Sequence, residues 1–160
     1  MVEFSSALRT ENLPTIFRDK TPRSIEEEAE SLRKYEVQSD RVCFLAMLNR
    51  SVVGHLNLVC GDHPQVSHVA MLGMSVLGSS RESGIGSRLI RAGIGWAVAA
   101  NLRKIQLEVM SNNPRAQALY ERFGFEVEGE RRQVVLVDEE YVDLIQMGLA
   151  LSSEHRITSD

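Results

Sequence analysis

The chain is short of cysteine, proline and aromatic residues, and it has no long apolar run. Two cysteines, Cys43 and Cys60, occur in 160 residues, too few for a disulfide-dense scaffold. Both lie in apolar, strand-like runs and read as buried free thiols of a reducing compartment. Four prolines are scattered, and neither a linker nor a low-complexity tract or repeat is found. No apolar stretch reaches the roughly 20 residues that a membrane-spanning helix needs, and there is no secretory signal. A cytoplasmic protein without a membrane partner is therefore expected. An excess of basic charge is also missing: the formal net charge is −4, which argues against non-specific nucleic-acid binding. The four histidines and two cysteines lack metal-ligand spacing, so no metal site is expected.

What remains is an ordinary globular composition, 43% apolar and 25% charged. The length suits one domain over residues 1–160 with a sizeable core. Residues 1–23 resist assignment. Val2–Phe4 reads as a short strand, and Pro14 and Pro22 interrupt the segment after it. The polar tail 152–160 is expected to fray. Ser24-Ile-Glu-Glu27 is a capping box, which starts a helix running to about Tyr35. Val42–Leu48 and Val52–Val59 form a hairpin around Asn49-Arg50-Ser51. Glu130–Val137 and Tyr141–Leu149 form another around Asp138-Glu139-Glu140.

The chain is organised around Arg81-Glu-Ser-Gly-Ile-Gly86. This segment comes after an extended run, Val69–Val76, and opens a helix ending near Ala100. Ile85, Leu89, Ile90, Ala97 and Ala100 recur at helical spacing and should face the sheet. A strand-to-helix junction leaves backbone N–H groups without intrahelical partners, and these donors join the positive end of the helix dipole. Gly84 and Gly86 let an anion approach the backbone, and Arg81 adds a permanent positive charge. The segment reads as a diphosphate cradle; taken alone, it is also compatible with a simple tight turn. Two other phosphate loops are excluded. A Walker loop needs Gly-Lys-Ser/Thr where Gly86-Ser87-Arg88 stands, and a dinucleotide fingerprint needs glycine where Leu89 stands.

Downstream, Lys104–Met110 alternates as a strand with Ile105, Leu107 and Val109 on one face and Glu108 on the other. Asn113 is placed to cap a helix, with Pro114 at its first position and Gly124 at its end. Here the chain resembles the GNAT superfamily of N-acetyltransferases. The shared features are the run into Val76, R-x-x-G-x-G at 81–86, the strand with Glu108, N-x-x-A-x-x-L-Y at 113–120 and Gly124-Phe125.

The resemblance implies an α+β fold: a mixed, mostly antiparallel sheet flanked by helices, with a central parallel pair, 69–77 and 104–110, that splays apart. It implies acetyl-CoA as co-substrate. Its pantothenate arm would meet the free backbone edge at Met74 and Val76. Its diphosphate would meet the N–H groups of Ser83, Gly84, Ile85, Gly86 and Ser87, with Arg81 alongside. Asn113 and Arg115 resemble cofactor-contacting positions. Tyr120 matches the position that protonates the departing thiolate; its other reading is a helix tyrosine packed against Phe123 and Phe125. Glu108 is the candidate base, since Met71 stands where similar enzymes often carry a glutamate. Its other reading is a surface carboxylate paired with Lys104. His68, at the strand entry near where an acceptor could enter, is read as structural or exposed first; it or water is the alternative base. The acceptor would be an amine of a small molecule or a peptide, and similar proteins often dimerise. A CoA-binding regulatory module without efficient turnover is the alternative.

Overall fold

The computed structural model describes residues 2–11 and 24–152; the breaks expected at Pro14 and Pro22 and the tail beyond Ser152 lie outside them. The first element is a helix, α1 (Val2–Thr10), where a short strand was expected at Val2–Phe4. Phe4, Ala7 and Leu8 fall at i, i+3 and i+4, the spacing of one helical face. Phe4 is 3% exposed and meets the His55 ring edge-on at 5.5 Å. Three residues were too few to carry that period.

Helix α2 (Ile25–Val37) extends past the expected Tyr35. Its capping box is formed: Glu27 N–H donates to Ser24 Oγ and Ser24 N–H to Glu27 Oε2. Strands β1 (Arg41–Leu48) and β2 (Ser51–Cys60) form the first hairpin. Its turn is only Asn49-Arg50, both at positive φ, as a two-residue type I′ turn requires. Ser51 instead pairs with Leu48 at the start of β2. After β3 (Val69–Val76) come a 3-10 turn (Gly78–Ser80), α3 (Ile85–Ala99), β4 (Lys104–Met110) and α4 (Pro114–Glu121). The final hairpin, β5 (Glu126–Val137) and β6 (Glu140–Ala150), begins earlier than Glu130 and turns at Asp138-Glu139, also at positive φ.

The six strands lie in the order β1-β2-β3-β4-β6-β5. Every pairing is antiparallel except β3 with β4. One face carries the main core. There Leu56, Leu58, Ala70, Leu72, Ile105, Leu107 and Met147 pack with Leu89, Ile90 and Ala97 of α3 and with Tyr120 and Phe125. Gly93, absent from the expected stripe, is buried; a Cβ there would stand 3.0 Å from Leu56 Cδ2. Ala100, expected in the stripe, is exposed because the helix ends before it. Trp96 packs at the margin of this core. Cys60 is buried and Cys43 half-buried, both as free thiols.

On the opposite face α1 covers β2, α2 covers β1, and Met110, Val142 and Leu144 form a smaller apolar cluster. Among the described residues, no helix is long and apolar enough to cross a membrane.

The parallel pair determines the site. β3 and β4 are registered at Val69↔Lys104, Ala70↔Ile105 and Met71↔Gln106. Past Met71 the two strands separate, so among the described residues β3 has only β2 beside it and β4 only β6. A cleft opens between their C-terminal ends.

Candidate active site

One wall of the cleft is a strand edge. Leu77 N–H donates to Val53 O at 2.9 Å, and Gly61 N–H to Val69 O at 3.1 Å. In an antiparallel pair the bonded positions alternate, so odd-numbered β3 residues bond to β2. Met74 and Val76 therefore turn their main-chain groups to the open side, as a pairing ligand requires. One of these groups is already used: Arg81 Nε and Nη2 both donate to Val76 O at 3.1 Å.

At the mouth, the chain reaches α3 through Glu82 (φ 62°) and Gly84 (φ 78°). The left-handed backbone at Gly84 suits glycine, and space for a Cβ there is open. The Ser83 hydroxyl donates back to Ser80 O. The first α-helical bond of α3 is Arg88 N–H to Gly84 O, 3.1 Å. The N–H groups of Ile85, Gly86 and Ser87 precede it, and no side chain caps this end. Uncapped donors beside an unobstructed glycine fit a diphosphate. Gly86 is tighter: a Cβ there would stand 3.1 Å from Leu119 Cδ2 and 3.8 Å from Met74 Cε. That contact brings α4 against the turn, and Arg115 reaches Glu82 at 3.4 Å in an exposed pair. Asn113 caps α4 through Ala116 N–H at 3.2 Å.

Helix α4 also holds Tyr120. The helix closes in a Schellman motif: Gly124 N–H bonds Glu121 O at 2.9 Å and Phe125 N–H bonds Tyr120 O at 3.2 Å. The Tyr120 ring tilts against Phe125, centroids 5.7 Å apart, while Phe123 packs under the Arg91 guanidinium. Tyr120 is 7% exposed. Desolvation pushes its phenol up to about 12, which keeps it protonated at neutral pH, as a proton donor must be. The same shift makes the proton harder to release. Against a thiol near 8.5, full transfer is uphill by about 3.5 units, unless the thiolate is desolvated too. Tyr120 is thus suited to hydrogen-bond a developing thiolate as the C–S bond breaks.

Glu108 lies on the other face, just beyond the point where β3 and β4 part. Its neighbours differ from the expected pair. Lys104 bonds Glu128 at 2.7 Å, whereas Glu108 Oε1 accepts from Arg131 Nη1 at 3.1 Å and Gln146 Nε2 at 3.2 Å. Both bonds fall on Oε1, and the side chain is 18% exposed. His68 is exposed in the loop before β3. Glu11 was missed: its carboxylate accepts from Gly78 N–H and from Arg81 Nη2. Arg131 and Gln146 were missed as well. No local pattern marks these three, because each meets its partner only across the folded sheet or from the end of α1.

The sheet thus parts between its two parallel strands, and an uncapped helix start stands at the mouth of the opening. The chain belongs to the acetyltransferase (GNAT) family, whose model matches residues 8–125. It is 34% identical over 107 residues to the L-amino acid N-acetyltransferase AaaT of Escherichia coli, covering 64% of each chain. It is 34% identical over 87 residues to the N-alpha-acetyltransferase MAK3 of Arabidopsis thaliana, covering 53% of this chain and 45% of that one. The matched stretches thus span about half to under two thirds of these relatives.

Among solved structures, a GNAT acetyltransferase of Streptococcus pneumoniae superposes with a TM-score of 0.88 at 27% identity, over 94% of this chain and 91% of that one. A phosphinothricin acetyltransferase of Sinorhizobium meliloti, solved with acetyl-CoA, shares the fold at a TM-score of 0.80 and 19% identity, over 94% and 80% of the chains. Acetyl-CoA is the co-substrate of this family.

Proposed function

We propose that this protein transfers the acetyl group of acetyl-CoA to a primary amine by direct attack in a ternary complex. One observation carries the reading: the unpaired edge at Met74 and Val76 runs within a few residues into the uncapped start of α3. A ligand with amide groups at one end and a diphosphate at the other matches that sequence of donors and acceptors. When bound, acetyl-CoA supplies the thioester carbonyl. Met74 and Val76 N–H and Met74 C=O pair with the pantothenate amides, and the amides of Ser83 to Ser87 hold the diphosphate. Asn113 and Arg115 flank its exit.

The amine must arrive neutral. Glu108 takes its proton through Oε2, the oxygen that carries neither the Arg131 nor the Gln146 bond, directly or through one water. The acceptor's own pKa sets how much that proton transfer must supply. At pH 7 neutralising an α-amine near 8 costs about 1.4 kcal/mol, against about 4.6 kcal/mol for a lysine-like amine near 10.4. An α-amine of a small molecule or peptide is therefore the favoured acceptor, in keeping with the names of the L-amino acid and N-alpha relatives. Tyr120 donates its hydroxyl hydrogen bond to the leaving sulfur. Alignment of amine and thioester supplies much of the rate.

Thiol release from acetyl-CoA, measured over a panel of free amino acids, peptides and Nα-blocked lysine, tests the reading. Steady release with α-amines is expected. Acetyl-CoA binding without release over the whole panel would replace the enzyme with a cofactor-binding module. That alternative is disfavoured by the relatives, which are named as acetyltransferases.

A further inference from the structure

Arg81 opens the R-x-x-G-x-G segment, yet its guanidinium is committed to protein. Nε and Nη2 grip Val76 O, and Nη2 also meets Glu11 Oε2 at 3.2 Å. A guanidinium holds an anion in bidentate fashion along its Nε–Nη2 edge or its Nη1–Nη2 edge. Nη2 belongs to both edges, and its two hydrogens are spent on Val76 O and Glu11. With the bonds to described residues counted, Nη1 alone is left, which is a poor grip for a diphosphate.

Glu11 makes this arrangement rigid. Its two oxygens accept from Gly78 N–H at 2.8 and 2.9 Å, across 67 positions of sequence. Glu11 and Arg81 are each 25% exposed, so these charge-assisted bonds are partly shielded from water. The Gly78 bond fixes the 3-10 turn that leads from the end of β3 to the cradle. The Arg81 bond cancels the negative charge that Glu11 brings near the mouth.

We infer that Glu11 is a positioning residue for the cofactor end of the cleft: it locks Gly78 and folds Arg81 onto Val76, leaving the backbone amides to bind the anion. The inference rests on the acetyl-CoA reading above. Arg81 then acts as a brace for the strand end and makes no bond to the diphosphate. Glu11 touches neither the cofactor nor the acceptor; it sets the spacing between the strand edge and the helix start.

The test is a double-mutant cycle on acetyl-CoA affinity with Glu11→Ala, Arg81→Ala and the pair, at low and moderate salt, using the full chain. Each single change should weaken binding about tenfold, the scale of one lost charge-assisted bond. The double variant should be no weaker than the worse single variant, and all should keep the wild-type salt dependence. At saturating acetyl-CoA, kcat should be retained while KM for acetyl-CoA rises. The Gly78 amide should be protected from hydrogen exchange in the wild type and lose that protection in Glu11→Ala. If the alanine variant unfolds, Glu11→Gln is read by the same criteria.

Wild-type affinity in Glu11→Ala would overturn the inference. So would losses that multiply to about a hundredfold in the double variant, or a flatter salt dependence in Arg81→Ala alone, which would mark a direct phosphate contact. Absence of acetyl-CoA binding by the wild type would instead remove the functional reading itself.

Discussion

The two sides of the cleft are built differently. The side we assign to the cofactor, Met74 to Ser87, is made of backbone: a strand edge without a neighbour past Met71 and a helix start that no side chain of the described residues caps. The side we assign to the acceptor, around Glu108, is made of side chains from three strands, with Arg131 and Gln146 on one carboxylate oxygen. Backbone donors are fixed by the fold and demand little of sequence beyond glycine where a side chain would intrude. Side-chain donors depend on partners that only the folded sheet brings together. The difference suggests a fixed affinity for one cofactor beside an acceptor preference that a few substitutions on β4, β5 and β6 can retune.

Substitutions on the two sides should therefore fail in opposite ways. The largest effect is expected from Tyr120→Phe. Turnover should fall by about 10²-fold or more, the scale of one lost hydrogen bond to charge developing in the transition state, with acetyl-CoA affinity unchanged. Steady-state and binding measurements together check it; equal turnover would remove Tyr120 from the chemistry. Gly86→Val should do the reverse. Its branched side chain meets Leu119 and Met74, and affinity should drop on the order of a hundredfold, from overpacking plus lost anion contacts. Calorimetry decides it, and unchanged affinity would reduce the turn to a structural element.

Tyr120 also leaves a mark on stability. Its phenol is raised from 10 to about 12 by burial, so between those values the unfolded chain loses a proton that the folded chain keeps. Stability is intact below pH 10 and falls as pH rises toward about 12, by roughly 3 kcal/mol at most. Denaturant titrations across that window should show a steeper loss in wild type than in Tyr120→Phe; identical slopes would mean that the ring is not shielded from water. The smallest effect is expected on the acceptor side. Glu108→Gln should lower turnover about tenfold at neutral pH, less than a full general base would, because about a tenth of an α-amine near pKa 8 is already neutral at pH 7. The deficit should shrink as pH approaches the pKa of the amine. A deficit constant with pH would mean that Glu108 positions the acceptor without taking its proton.

The same division accounts for what was legible in the sequence. The capping box at Ser24, the Asn113-Pro114 start, the Gly124 stop and the strands at 69–76 and 104–110 depend on neighbours a few positions apart, and all are formed as read. The parallel, splayed pair was legible through the resemblance, since neither strand's own pattern names its partner. Local patterns did not reach Glu11 on Gly78 and Arg81, or Arg131 on Glu108, because those bonds cross 67, 70 and 23 positions. Pairing Glu108 with Lys104 failed for the same reason: the register of β5 against β6, not distance along β4, selected Arg131. The helix at Val2–Thr10 was missed because its apolar period extends beyond the three residues that suggested a strand.

The most direct test of the backbone-built cofactor site is a calorimetric titration of the wild-type protein with acetyl-CoA, with NADH and ATP as controls. Saturable binding of acetyl-CoA and none of the controls is predicted, because of the three only acetyl-CoA offers an extended arm of secondary amides to the Met74–Val76 edge together with a diphosphate to the α3 start. No acetyl-CoA binding, or equal binding of ATP, would contradict a site of this construction.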